Sequence, residues 1–222
     1  MEEVFRFLKA LREHNDREWF HANKEWYLEV KARHEAFIDA LIGELAKVDS
    51  EVEGLTAKEC IFRIYRDTRF SADKSPYKTH IGAFIAQGGR MAPRGGYYVH
   101  LEPGNSLLAG GIWCPPPSLL KALRMDIYGN IEEFTGILQD EQFARYYHLD
   151  GEKLKKVPAP FPKDFPEAEL LKYKYYTVEC DETDAFFTGE DAVERVVERL
   201  ALMLPFNRFL NYTVDETWRE SE

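Results

Sequence analysis

Cysteine is scarce in this chain: 222 residues hold three, at positions 60, 114 and 180, with no Cys-x-x-Cys pair. An odd, scattered set cannot build a disulfide framework and is the usage of a reducing compartment, so a cytoplasmic location is expected. Cys114, beside three prolines, reads as packed rather than nucleophilic. There is no apolar run of transmembrane length, and the acidic start Met1-Glu2-Glu3-Val4 does not read as a signal peptide, so no membrane partner is expected. Positive charge is in deficit, with Lys+Arg 29 against Asp+Glu 39 and a net charge of -10. That argues against coating duplex nucleic acid with a wide basic face. The six histidines, at 14, 21, 34, 80, 100 and 148, lack zinc-type spacing, and neither a His-Glu-x-x-His run nor a phosphate-binding Gly-x-x-x-x-Gly-Lys run occurs. Ser106 follows Gly104-Asn105 and precedes Leu107, which excludes a nucleophile elbow. No metal and no cofactor are expected.

What remains is the composition of a globular protein, 45% apolar and 31% charged, with 11 Pro and 14 Gly and no internal repeat. The length suits one large domain spanning 1–222. Val4, Phe7, Leu8 and Leu11 recur at helical spacing, and Asn15 with Glu18 predicts a capped helix start. A long helix over 19–47 follows, with Trp19, Trp26, Val30, Phe37, Leu41 and Leu45 on one stripe. Asn23 and Arg33 interrupt that stripe, either at its edge or facing something polar.

From Cys60 the period changes to two, and 60–65, 81–86, 97–102 and 107–113 read as strands, with 175–179 as a returning one. Glycine-rich turns too short for a helical crossover make 81–113 an antiparallel meander. Gly110-Gly111 marks a bulge or a close approach by another backbone or a ligand. Pro115-Pro116-Pro117 stops the sheet, helical segments follow from Leu119, and 157–166, with four prolines, reads as an extended loop. A last helix over 190–204 is ended or kinked at Pro205, with one more turn beyond it. Strands segregated between helices give an α+β class: a central antiparallel sheet of at least four strands, with N-terminal and C-terminal helices packed on it.

The charge is uneven. Residues 61–100 carry seven basic side chains (Arg63, Arg66, Arg69, Lys74, Lys78, Arg90 and Arg94) against Asp67 and Asp73, a local +5 that leaves -15 for the rest. Such an island repels itself unless an anion or carboxylates sit among the cations. Guanidinium forks at Arg63, Arg66 and Arg69, point charges at Lys74 and Lys78, and hydroxyls at Thr68, Ser71 and Ser75 are the groups that capture phosphate or carboxylate. The alternative is a solvated loop with local ion pairs. Strand alternation places Tyr98, His100 and Glu102 on one face, where His100 and Glu102 are candidates for proton transfer; that face could equally be solvated.

Asn15-Asp16-Arg17-Glu18-Trp19-Phe20 with Asn23-Lys24 and Tyr27, Arg66-Asp67-Thr68-Arg69-Phe70-Ser71 with Asp73-Lys74-Ser75-Pro76-Tyr77-Lys78, Gly96-Tyr97-Tyr98 to Gly104, and Ala109-Gly110-Gly111-Ile112-Trp113 make up a distinctive set. Together they resemble a family of conserved bacterial and fungal proteins catalogued as a domain of unknown function (domain of unknown function 2461). Asp16 stands where a second Asn is more usual. The resemblance implies a single α+β domain and no established activity; Trp19, Arg66, Arg69, Lys74 and Lys78 correspond to the family's signature. Two functions fit these observations. One is binding of, or chemistry on, a small anionic ligand (phosphate ester, nucleotide or carboxylate) at the basic loop and polar strand face. The other is an interaction module that docks an acidic protein through the 66–78 loop without catalysis. The oligomeric state and any reaction are not legible.

Overall fold

The computed structural model describes residues 1–219. Helices α1 (Glu2–Glu13), α2 (Arg17–Ala22), α3 (Lys24–Leu45) and α4 (Ala57–Cys60) come first, followed by strands β1 (Ile81–Ile85), β2 (Gly96–Leu101) and β3 (Ser106–Ile112). Then come α5 (Pro117–Gly129), α6 (Ile131–Gln139), α7 (Glu141–Tyr146), β4 (His148–Asp150), β5 (Tyr176–Glu182), α8 (Ala192–Ala201) and α9 (Leu204–Arg219). The strands form one five-stranded antiparallel sheet in the order β1-β2-β3-β5-β4, so the 81–113 meander is present and the class is α+β.

The chain divides into two compact units, one comprising Met1–Met91, Tyr98–Leu108 and Asp181–Ala201, the other Ala92–Tyr97, Ala109–Cys180 and the residues from Leu202 onward. In the first, α1 buries Val4, Phe7, Leu8 and Leu11, and α3 buries Val30, Phe37, Ile38, Leu41, Ile42 and Leu45; α8 packs on α3. In the second, α9 packs on α5 and α6 and supplies two buried amides. Asn207 accepts from the Gly111 amide at 3.0 Å and donates to the Gly96 carbonyl at 3.1 Å, while Asn211 accepts from Gly95 N–H at 2.7 Å. These bonds satisfy backbone groups that the irregular ends of β2 and β3 leave buried. At Gly111 φ is +101°, and a Cβ there would stand 2.2 Å from the Tyr176 carbonyl oxygen. The glycine pair therefore admits a neighbouring backbone.

Five local expectations differ from the structure. The helix over 19–47 is two helices broken at Asn23, whose amide donates to the Trp19 carbonyl at 2.9 Å and so ends α2. Asp16, not Asn15, caps α2 by accepting from the Trp19 amide at 2.8 Å, a task Asp and Asn do equally well. Asn15 instead exchanges two hydrogen bonds with the Tyr77 backbone. The 60–65 strand is absent as a regular element, because the Thr56/Glu59 capping box carries α4 through Cys60. Only isolated antiparallel bridges, Ile61 to Ala83 and Tyr65 to Tyr77, remain. Pro205 does not leave a single turn after it: it lies in the first turn of the 16-residue α9, where its missing N–H costs nothing. Cys114 is also exposed rather than packed, at a φ of +48° where β3 gives way to the prolines.

Candidate functional site

Two polar constellations lie in the first unit. The first grows from the alternation in β2. Tyr97, Val99 and Leu101 are buried, and Tyr98, His100 and Glu102 point the other way, half-buried rather than solvated. The His100 and Glu102 side chains lean together, with Nε2 and Oε2 3.4 Å apart, and the Tyr98 hydroxyl lies 3.0 Å from His100 Nδ1. The carboxylate of Glu102 also accepts from Thr79 Oγ1 at 3.1 Å, Asn105 Nδ2 at 3.1 Å and Arg12 at 3.4 Å. Burial opposes ionisation of Glu102, but the donors Asn105, His100 and Thr79 hold its carboxyl below the usual range. Burial lowers the His100 pKa against the pull of Glu102, and lifts the Tyr98 phenol to about 12.

His80, one residue ahead of β1, sets its ring against that of His100 at 4.4 Å between centroids, tilted by 33°. Burial, reinforced by His100, takes its pKa down to about 4. Sequence spacing hid His80 because its partner is twenty residues away; its position at the head of the strand hydrogen-bonded to β2 was the usable signal.

The second constellation is a cavity of about 360 Å3 between the first half of α3 and the 58–65 segment. Val30, Ile61, Phe62, Ile64 and Ile81 provide its apolar wall. Lys31, Lys58, Arg63 and Arg90 bring four cations to it, against the single carboxylate of Glu35, which is bound to Lys31 at 2.5 Å. Arg90 is fixed by donating to the Lys58 and Glu59 carbonyls at 3.0 Å each. Among the described residues Arg63 and Lys58 have no hydrogen-bond or ion-pair partner. His34 also lines the cavity, only 3% exposed, with its Nε2 lacking a hydrogen-bond partner. Burial, helped by Lys31, drives its pKa to about 4. Tyr27, half-buried, adds a hydroxyl whose pKa is pushed up to about 12, first by burial. His34 had a signal in the sequence, four residues after Val30 and three before Phe37, a polar residue squarely on the apolar stripe.

Of the seven basic residues of the 61–100 island, Arg63 and Arg90 line this cavity; of the five proposed to capture an anion, Arg63 alone does. Arg66 is held inside its own loop by Asp73, by Ser71 Oγ at 3.3 Å and by the Ser75 carbonyl at 3.2 Å. Arg69 chelates Asp67, with Nη2 2.6 Å from Oδ2, and Lys74 donates to the Thr68 carbonyl at 2.9 Å. Lys78 lies 5.6 Å above the Phe62 ring, its pKa lowered by burial and then by Arg63. The island's own two aspartates thus pair with Arg66 and Arg69, leaving Lys74 and Lys78 as the loop's charge surplus. Of the two residues that interrupt the helical stripe, Asn23 marks the helix junction and Arg33 is exposed, bonded to Glu29 at 2.8 Å. Trp19 packs among Phe7, His14 and Trp26.

Among the described residues no helix is long and apolar enough to cross a membrane. No curated protein and no solved structure matches the chain. The model of the family described as Conserved hypothetical protein (DUF2461) matches residues 3–209, and this chain belongs to that family.

Proposed function

We propose that the protein binds a small organic anion in the cavity beside α3, with Arg63 and Lys58 as the groups that meet its charge. The observation that carries this reading is a pair of unpartnered cations, beside a third held rigidly, on a cavity with an apolar wall. Cations placed together without counter-charge repel one another, and an anion offsets that repulsion. The volume lies at the lower end of the range for small-molecule sites, and the apolar wall favours a phosphate ester or carboxylate with a compact hydrocarbon or ring portion over inorganic phosphate. Neutral His34 adds a buried nitrogen, Nε2, that has no hydrogen-bond partner among the described residues.

The experiment is calorimetric titration and thermal shift with phosphate esters, nucleotides and carboxylates, on the parent, Arg63→Ala and Arg69→Ala. One compound class is expected to stabilise the parent and Arg69→Ala, whose changed residue is outside the cavity, but not Arg63→Ala. If no compound binds, or Arg63→Ala binds as the parent does, the reading is wrong.

One observation favours the docking alternative. Phe70, at the tip of the basic loop, is 94% exposed, with the Arg69 guanidinium 5.8 Å from its ring centre. An exposed aromatic beside an arginine, on a loop with more cations than carboxylates, suits an acidic protein surface carrying an apolar spot. Under that reading Phe70→Ala weakens association with such a partner while ligand binding at Arg63 is untouched.

A further inference from the structure

We infer that His80, His100 and Glu102 form a site for one divalent first-row transition-metal ion, with its remaining coordination positions open to water or a small ligand. One donor atom from each residue lies within 4.8 Å of the other two. An ion bound at about 2.0 to 2.2 Å holds its ligand atoms roughly 3.0 to 3.4 Å apart. His100 Nε2 and Glu102 Oε2 already stand at 3.4 Å, so the remaining closure falls to side-chain torsions of His80. The backbone supplies the convergence. His100 and Glu102 are two apart on one face of β2, and His80 heads the strand hydrogen-bonded to it.

The surrounding contacts are those that orient ligands. Tyr98 sits 3.0 Å from the other nitrogen of His100, and Thr79 and Arg12 hold Glu102 Oε1, while Oε2, which accepts from Asn105 Nδ2 at 3.1 Å, faces the imidazole. Such outer partners fix ring and carboxylate orientation in metal sites. With Nε2 on an ion, the neutral His100 ring carries its proton on Nδ1 and donates it to the Tyr98 oxygen. A polar network that merely stabilises the strands accounts for Tyr98, His100 and Glu102 but not for His80. That imidazole is half-buried and has no hydrogen-bond partner among the described residues. Two imidazoles and one carboxylate select Fe2+, Co2+, Ni2+ or Zn2+ over Mg2+ or Ca2+. Three protein ligands, rather than four, leave the ion able to take up a further ligand.

The test uses the full chain without a histidine tag, stripped with a chelator and titrated with Co2+. Visible absorption of the bound ion reports its ligands, and Zn2+ and Mg2+ serve as competitors. One equivalent of Co2+ is expected, displaced by Zn2+ and not by Mg2+. His80→Ala and Glu102→Gln should each weaken uptake by more than about 100-fold, beyond the usual loss for an outer-shell change. His148→Ala, which removes a surface imidazole 3.7 Å from Glu179, should bind as the parent does. Among the described residues the His80 side chain makes no hydrogen bond, so its alanine variant is expected to fold and decides the matter if Glu102→Gln does not. No Co2+ uptake by the parent, or equal uptake by parent and His80→Ala, overturns the inference.

Discussion

Acid should weaken this protein through His34 in a way one substitution removes. The imidazole is 3% exposed, and burial with nearby Lys31 takes its pKa from 6.5 to about 4. The groups around it on the cavity are Lys31 and Glu35 from α3 and Lys58, Arg63 and Arg90 from the facing segments. The folded state thus refuses a proton that the unfolded chain accepts below about pH 6.5. Stability from this group is fully present above that pH, falls as pH drops toward the folded value near 4, and levels off below it. At about 1.4 kcal/mol per unit the whole interval corresponds to roughly 3 kcal/mol, and the part between pH 7.5 and 5 to about 2 kcal/mol. Urea denaturation of the parent and of His34→Leu at those two pH values measures the share due to His34. Other titrating groups contribute to both proteins and cancel in the difference. The variant should lose about 2 kcal/mol less than the parent on acidification. Equal losses in the two would refute the reasoning.

Asn207→Ala should cost about 2 to 4 kcal/mol in the same urea assay, because it strands two buried backbone groups, Gly111 N–H and Gly96 C=O. Gly111→Ala should prevent folding to a native melt, since its Cβ would fall 2.2 Å from the Tyr176 carbonyl oxygen. Gly104→Ala, also at positive φ but with nothing within 4 Å, should cost only about 1 to 2 kcal/mol. In the native protein a thiol reagent should titrate Cys114 quickly and reach buried Cys60 and Cys180 only after denaturant is added, with burial holding the Cys60 thiol near a pKa of about 11. Fast reaction of all three in the native protein would contradict the packing described.

Much of the fold was legible because it is written in short periods. Alternation at Tyr97-Tyr98-Val99-His100-Leu101 and the glycine turns between runs dictate three antiparallel strands, and the stripe from Val30 to Leu45 dictates α3. Boundaries were less legible where one polar contact decides them. Asn23 splits a helix that periodicity joins, and the Thr56/Glu59 box converts the start of an apparent strand into a helical turn.

The candidate sites divide in the same way. By itself the sequence determined that cations concentrate between residues 61 and 100 and that His100 and Glu102 share a strand face, since composition and a two-residue period require no knowledge of distant partners. Which cations are free was decided only by tertiary structure. Arg69 turns back on Asp67 and Arg66 on Asp73, so the two conspicuous arginines are paired within their own loop, whereas Arg63 meets Lys58, Arg90 and, from another element, Lys31. His80 reaches His100 because two strands pair, and His34 reaches the cavity because α3 lies against the 58–65 segment. Each of those meetings closes a chain loop of twenty residues or more. Its energy comes from burial and pairing summed over whole elements, which no local pattern of residues records.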